Sequence, residues 1–141
     1  MNLKLPNAFE KAVKLLYYHN YFSNDLSYRL AQLDYRENEI KEAIQKCMEE
    51  KYLNDENFGK DFIEMAQKEK NWGYNKIYSK MYEKHVPVEL IKQYLSTYYS
   101  KELETASKEK LKKEKEKKLP AEMDLEKKKG ILQRFLYSKG F

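Results

Sequence analysis

The sequence predicts an all-α protein, with tandem repeats of a three-helix, helix-turn-helix-like unit in an elongated array. Apolar residues recur at a spacing of three or four along most of the 141-residue chain, as in helices that bury one face. Gly and Pro number only 4 and 3, which disfavours all-β proteins and doubly wound folds because both need many turns. Aromatic residues make up 14% of the chain, which is enough apolar mass to fold most of it.

Apolar periodicity and capping residues place the first four helices. The periodicity predicts a helix over roughly 8–20 and a third over 36–50. Ser23 is a favourable N-cap residue, so we expect it to cap the second helix. Asn54 is expected to cap the fourth helix, and Asp55 in its first turn suits the positive end of the helix dipole.

Similar signals place the last four helices. The fifth is expected after Gly73, and Pro87 suits the first turn of the sixth. The seventh is predicted over roughly 101–118, and Asp124 is expected to cap the eighth. Gly140 then follows the eighth helix as its C-terminal cap.

The seventh helix has an unusually poor apolar face. Its candidate core residues are Leu103, Ala106 and Leu111, and the positions between them are mostly Lys and Glu. Three modest apolar side chains cannot hold so long a helix firmly, so we expect it to pack weakly and to open locally.

Two constant shifts indicate an internal repeat. Leu26 and Ile40 return as Ile77 and Ile91, 51 positions later, and Ile77 returns as Leu132 after a further 55. A shift that is kept across two helices and the turn between them is typical of stacked repeats. The predicted divisions are repeat 1 over 1–53, repeat 2 over 54–100, and a partial, basic repeat 3 over 101–141.

The turn inside each repeat places Asp34, His85 and Gly140 at equivalent positions. Gly adopts the left-handed conformation that ends helices, and Asp and His are among the other residues that tolerate positive φ. His85 is therefore interpreted as a turn residue rather than a metal ligand, because no second ligand accompanies it.

The third repeat contains two predicted helices and stops at Phe141, so we interpret it as incomplete, either naturally or by truncation. Without a third helix, apolar residues of the eighth helix and its turn are expected to be partly exposed and to invite a partner. These residues are Ile131, Leu132, Phe135 and Phe141.

The net charge of +5 comes from the last part of the chain. Residues 101–141 carry 13 basic and 8 acidic side chains, whereas basic and acidic counts are equal in 1–53 and in 54–100. This part could contact a polyanion, and a solvated helix surface has the same composition. Its candidate contact residues are Lys112, Lys113, Lys127, Lys128 and Arg134.

A second basic feature lies on the fifth helix. Lys76, Lys80 and Lys84 are spaced by four residues, which places them along one face. Trp72 lies close by in sequence, and lysines with aromatic rings can hold phosphates and stack bases. These three lysines complete the set of candidate partner- or DNA-binding residues.

No pattern in the sequence indicates catalysis. The two His residues fall in different repeats, and no phosphate-binding loop or metal-ligand spacing is present. Cys47 lies on the apolar face of the third helix, where a buried, unreactive thiol is expected. We therefore expect a non-enzymatic protein without cofactor or metal. A single Cys and the lack of a long apolar run suit a cytoplasmic protein with no membrane partner.

Three segments, in order along the chain, resemble the motifs of one protein family. Lys51–Phe58, with the sequence Lys-Tyr-Leu-Asn-Asp-Glu-Asn-Phe, is similar to the Gly-Tyr-Leu-Asp-Asp-x-x-Phe motif of the RecX family. Asn71–Ile77 followed by Lys84–Val86 resembles its second-repeat pattern, a Gly, an Ile-containing helix and Lys-Gly-Ile. Leu136–Phe141 resembles its third-repeat Lys/Arg-Gly-Phe turn. The resemblance covers residues 8–141.

The resemblance implies a bacterial regulator that binds the RecA recombinase filament on single-stranded DNA, with the DNA itself as a secondary partner. RecX proteins suppress the ATP hydrolysis, strand exchange and co-protease activity of RecA, so it also implies roles in recombination, DNA repair and the SOS response. We expect a monomer. Whether it would cap filament ends or coat the groove is open.

Two other functions stay open at this point. One is a helix-turn-helix transcriptional regulator, although a third helix rich in Glu makes a poor recognition helix. The other is a helical adaptor with no nucleic-acid partner, for which salt-dependent binding to DNA or filament would be absent.

Overall fold

Eight α-helices and no strand make up the regular structure of residues 5–141, the part of the chain that the computed structural model describes. The predicted all-α class is confirmed, and each helix begins within one residue of its predicted start. In chain order they are α1 (Ala8–Tyr18), α2 (Ser23–Gln32), α3 (Glu37–Glu49), α4 (Asp55–Lys68), α5 (Tyr74–Glu83), α6 (Val88–Tyr98), α7 (Lys101–Lys117) and α8 (Leu125–Ser138).

Contacts within the chain divide it into two units. The first contains the described residues up to Gly59 together with Lys84–Pro87, and the second contains Lys60–Glu83 and Val88–Phe141. The first unit thus holds α1 to α3 and the start of α4, and the second holds the rest of α4 and the four helices that follow. The three-repeat division stays a prediction.

The repeated turn adopts the backbone conformation that the sequence predicts. Asp34, His85 and Gly140 all have positive φ, at 68°, 64° and 97°. After Gly140 the amide of Phe141 donates to the carbonyl of Leu136 over 3.0 Å, which satisfies a carbonyl in the last turn of α8. One turn geometry therefore recurs at three equivalent places along the chain.

Two further helices end in the same way without a glycine. Lys51 after α3 and Asn71 after α4 have φ of 63° and 53°. The amides of Tyr52 and Trp72, which follow them, donate back to the ends of those helices over 2.9 and 3.0 Å. Asn tolerates this conformation better than Lys does, so only the Asn71 turn carries a signal in the sequence.

The core of the first unit is formed where α1, α2 and α3 meet. Cys47 is fully buried within it, so its predicted burial is confirmed, and that burial raises the pKa of its thiol. Tyr35 closes one edge, because its hydroxyl donates to the carbonyl of Pro6 over 2.7 Å. The buried residues of this core are Ala8, Ala12, Leu26, Leu30, Ile40, Ala43, Cys47 and Leu53.

A carboxylate from α4 caps α2. Ser23 is the first residue of α2 and not its N-cap, so that prediction is wrong. Its amide and hydroxyl donate to the two carboxylate oxygens of Asp55, over 2.7 and 2.5 Å. Beside this pair the rings of Phe22 and Phe58 stack with centroids 4.4 Å apart. The acceptor comes from a distant part of the chain, which a local capping pattern cannot show.

The second unit buries a polar side chain in addition to its apolar core. Gln67 is 2% exposed, and its amide group exchanges two hydrogen bonds with the backbone of Ser100, over 2.9 and 3.0 Å. Ser100 is also the N-cap of α7, so this pair fixes where α7 begins. The apolar residues buried in this unit include Ile63, Ala66, Ile77, Met81, Ile91, Leu95, Leu111 and Leu132.

The face that α7 buries differs from the predicted one. Leu111 is buried as expected and Leu103 is half-buried, but Ala106 is exposed and Ser107 is buried in its place. The hydroxyl of Ser107 donates to Oδ1 of Asn71 over 3.2 Å, which makes its burial tolerable. Leu103, Ser107 and Leu111 are spaced by four residues, so they share the face of α7 that turns inward.

One of the four apolar residues of α8 and its turn is more buried than expected. Leu132 is 7% exposed, so its predicted exposure is wrong. Ile131, Phe135 and Phe141 are half-buried, as expected. Leu132 occupies the position equivalent to the buried Ile77, and it is buried in the same way.

Asp55→Ala is expected to lower the free energy of unfolding by about 1–3 kcal/mol, because it leaves two donors of Ser23 without their acceptor. Urea unfolding followed by circular dichroism measures this. Asp61→Ala removes an exposed carboxylate from the same helix and should change the value by less than about 0.5 kcal/mol. Equal effects of the two variants would contradict the cap.

Amide protons of residues 108–117 are expected to exchange faster than those of α6. Leu111 is the only buried residue in this stretch, so local opening exposes little apolar surface. Hydrogen exchange followed by NMR checks this residue by residue. Protection of this stretch as strong as that of α6 would refute it.

Candidate polyanion-binding site

Three lysine side chains surround the single Trp of the chain. The ammonium nitrogens of Lys70, Lys76 and Lys80 lie 5.0, 5.2 and 6.0 Å from the ring centroid of Trp72. Each distance permits a cation–π attraction of about 0.5–1 kcal/mol at an exposed site. We refer to these four residues and Lys139 as the Trp72–lysine cluster.

Helix α5 and the turn before it position most of the cluster. Lys76 and Lys80 are four residues apart on α5, so they share one face, as predicted. Lys70 and Trp72 flank Asn71, whose positive φ redirects the chain between α4 and α5. The Asn71 turn therefore brings a lysine and an indole ring to the face that already carries two lysines.

Lys139, the fifth member of the cluster, lies in the turn that follows α8. The amide of Gly73 donates to the carbonyl of Lys139 over 2.7 Å, and the amide of Asn75 donates to the carbonyl of Gly140 over 3.0 Å. The first amides of a helix lack partners within the helix, so this turn caps α5. The capping bonds hold Lys139 beside Lys76.

This contact requires glycine on both sides. A Cβ on Gly73 would lie 2.6 Å from the carbonyl oxygen of Gly140, and a Cβ on Gly140 would lie 2.5 Å from the amide nitrogen of Lys76. Neither distance is possible without moving the backbone. Gly140 also has a φ of 97°, which other residues rarely adopt.

The cluster is positively charged and poorly compensated. Burial, followed by the charges of Lys139, Lys80 and Lys70, lowers the pKa of Lys76, and no carboxylate contributes to that shift. Lys80 has an ion pair with Glu83 at 3.5 Å, and exposed pairs of this kind contribute little. Four ammonium groups held together in this way suit a ligand with several negative charges.

The other predicted contact residues lie outside the cluster. Lys84 follows the last residue of α5, Glu83, and is grouped with the first unit, so its predicted place on the fifth helix is wrong. It lies beside Asp25, whose pKa is raised by burial and partly lowered again by Lys84 and His85. Lys112 and Lys128 line a groove of about 440 Å³ between α7 and α8. Lys113, Lys127 and Arg134 are exposed. The binding role of all eight predicted residues stays a prediction.

Sequence reasoning missed Lys70 and Lys139. Lys70 follows the end of α4 and belongs to no periodic stripe, so it gave no signal. Lys139 is part of the repeated turn Lys139-Gly140-Phe141, which the sequence did identify. The missing information was the surface against which that turn packs.

His85 has neighbours that its role as a turn residue did not predict. Its ring stacks on Tyr28 with centroids 4.5 Å apart, and its Nε2 lies 4.0 Å from Oδ1 of Asp25.

Within residues 5–141, no group of three or more His, Cys, Asp or Glu side chains is arranged to hold a metal ion. No helix in that range is long and apolar enough to cross a membrane.

Gly140→Ala is expected to lower the free energy of unfolding by more than about 1 kcal/mol, because alanine is strained at positive φ and its Cβ would strike Lys76. Gly130→Ala is the matched control. It lies within α8 beside the flexible end of Arg134, so alanine should raise stability by about 0.5–1 kcal/mol. Urea unfolding distinguishes the opposite signs, and a neutral Gly140→Ala would refute the packing argument.

Lys76 is expected to titrate below the ordinary lysine value of 10.5, and Lys139→Gln should move its midpoint upward. A lowered pKa means that the unfolded state binds more protons, so this group makes stability rise as pH increases toward that value. NMR of the lysine side chains measures the midpoint. Lys92→Gln, an exposed change on α6, should leave it in place. An unshifted Lys76 would contradict the cluster.

Comparisons with known proteins agree with the motifs. The chain is 28% identical over 139 residues to the regulatory protein RecX of Caldanaerobacter subterraneus subsp. tengcongensis, matching 99% of this chain and 66% of that relative. The chain thus spans just under two thirds of the relative's length. A search with protein-family models finds no match.

Solved structures share the fold. RecX from Lactobacillus salivarius superimposes with a TM-score of 0.85 at 19% identity, covering 95% of this chain and 86% of that one. A second structure, of a regulatory protein RecX, gives a TM-score of 0.77 at 17% identity, covering 95% and 65%. The resemblance to the RecX family that the three motifs predict is therefore confirmed, in sequence along nearly the whole chain and in fold.

Proposed function

We propose that this protein is a non-enzymatic regulator that binds the RecA recombinase filament on single-stranded DNA. By binding it inhibits ATP hydrolysis, strand exchange and co-protease activity, and so modulates recombination, DNA repair and the SOS response. It acts in the cytoplasm as a monomer, and its contact with the filament includes the DNA as a secondary partner.

The observation that carries this proposal is the Trp72–lysine cluster. A RecA filament on DNA is a regular polyanion, and phosphates are the groups that uncompensated lysines bind most readily. Lys76 is held among three other ammonium groups with no carboxylate acting on its pKa, so a phosphate would relieve that repulsion. The names of the relatives, regulatory protein RecX, support the same function.

The side chains that could do chemistry support a binding role rather than a catalytic one. Cys47 is buried with a raised pKa, so its thiolate is disfavoured. His85 is stacked on Tyr28 within a turn, and His19 is exposed at the end of α1. The hydroxyl of Ser23 donates to Asp55, and that carboxylate also accepts the Ser23 amide, so the pair serves as a helix cap.

The test is RecA ATP hydrolysis on single-stranded DNA after filaments have formed. The wild-type protein is expected to inhibit it at micromolar concentration. The double variant Lys76→Glu/Lys80→Glu should raise the half-inhibitory concentration by about tenfold, on the order of 1.4 kcal/mol. Lys14→Glu/Lys92→Glu changes the net charge equally at exposed positions of α1 and α6 and should act like wild type.

Two results would count against the proposal. If the wild-type protein leaves ATP hydrolysis unchanged at micromolar concentration, the regulatory function is wrong. If both double variants lose inhibition equally, net charge rather than the Trp72–lysine cluster is responsible.

A further inference from the structure

A groove lies between α5 and the end of α8, beside the Trp72–lysine cluster. It has a volume of about 430 Å³, which falls within the ~300–1,000 Å³ range of small-ligand sites. The capping contact between the α8 turn and α5 forms one end of it, through Gly140. Its lining residues are Asn75, Lys76, Ser79, Lys80, Tyr137, Ser138 and Gly140.

One wall of the groove is basic and hydrogen-bonding. Lys76 and Lys80 lie on successive turns of α5. Asn75 directly precedes Lys76, Ser79 directly precedes Lys80, and both also line the groove. Lysine ammonium groups bind phosphate oxygens, and amide and hydroxyl groups donate to the same acceptors. Because Lys139 and Lys70 add to the potential at Lys76, this wall is the most favourable place in the groove for a phosphodiester.

The opposite wall presents an aromatic ring to solvent. Tyr137 is 77% exposed although it follows the largely apolar stretch of α8. An exposed ring beside a row of lysines is the arrangement that proteins use to stack bases of single-stranded nucleic acid, because every base has an aromatic face. Paired bases in a duplex already stack on each other, so they cannot reach such a ring without being unstacked.

We propose that this groove binds single-stranded nucleic acid directly, with phosphates on Lys76 and Lys80 and one base stacked on Tyr137. The choice of ligand rests on the proposed function, which places the protein on single-stranded DNA. The contact itself needs no recombinase. The groove thereby gives the protein a preference for single strands over duplexes that a basic surface alone would lack.

The test uses the full chain, without recombinase, and a fluorescently labelled oligothymidylate whose anisotropy reports binding. Trp72 is the only Trp and contacts Lys76 and Lys80, which line the groove, so a change in its emission during the titration reports a ligand next to these lysines. We expect saturable binding, weakened by added salt, and weaker binding of a duplex of equal length. Inorganic polyphosphate serves as a competitor that has the charge but no bases.

Tyr137→Ala is expected to weaken oligothymidylate binding by about tenfold and leave polyphosphate binding unchanged, whereas Tyr137→Phe keeps both. Tyr82→Ala removes another exposed tyrosine, from α5 outside the groove lining, and should act like wild type. Lys76→Gln should weaken the binding of both ligands, because it removes an ammonium group that contacts phosphates. Tyr137 is exposed, so its variants are expected to fold, and circular dichroism checks this.

Three results would overturn the proposal. They are duplex binding as tight as single-strand binding, no loss of oligothymidylate affinity in Tyr137→Ala, and no binding at all. If RecA inhibition persists in the absence of direct binding, the groove proposal is wrong and the proposed function stands. Direct binding without RecA inhibition supports the groove and contradicts the proposed function.

Discussion

The contact between the α8 turn and the first turn of α5 is the constraint on which the candidate site depends. Two backbone hydrogen bonds join Gly73 and Asn75 to Lys139 and Gly140. They satisfy amides that a helix start leaves without partners, so the turn and the helix stabilise each other. The same contact brings Lys139 to Lys76 and forms the end of the groove.

The Trp72–lysine cluster combines repulsion between lysines with attraction of lysines to an aromatic ring. Four ammonium groups repel each other, and that repulsion contributes to the lowered pKa of Lys76. The indole ring of Trp72 attracts three of them, which offsets part of the cost without neutralising the charge. The surface therefore stays cationic in the free protein, and a phosphate ligand would remove a repulsion that already exists.

The segment Lys51–Phe58, one of the three that resemble the RecX family, has a structural explanation in this chain. Lys51 takes a positive φ to end α3, and Leu53 is buried in the core of the first unit. The side chain of Asn54 accepts a hydrogen bond from the amide of Asn57 at the start of α4, and the carboxylate of Asp55 caps α2. Phe58 then stacks on Phe22. The motif joins α2, α3 and the start of α4 within the first unit, so it indicates fold more directly than it indicates a binding site.

The sequence by itself determined the all-α class, the helix starts and the repeated turns, because periodicity, caps and glycine preferences act over a few neighbouring residues. It also placed Lys76 and Lys80 on one face, since four residues make about one helical turn. Tertiary structure decided that Asp55 caps Ser23, that Ser107 is buried in place of Ala106, and that Lys139 joins the cluster. Each of these outcomes is accompanied by a hydrogen bond between residues far apart in the chain, and such partners leave no local pattern in the sequence.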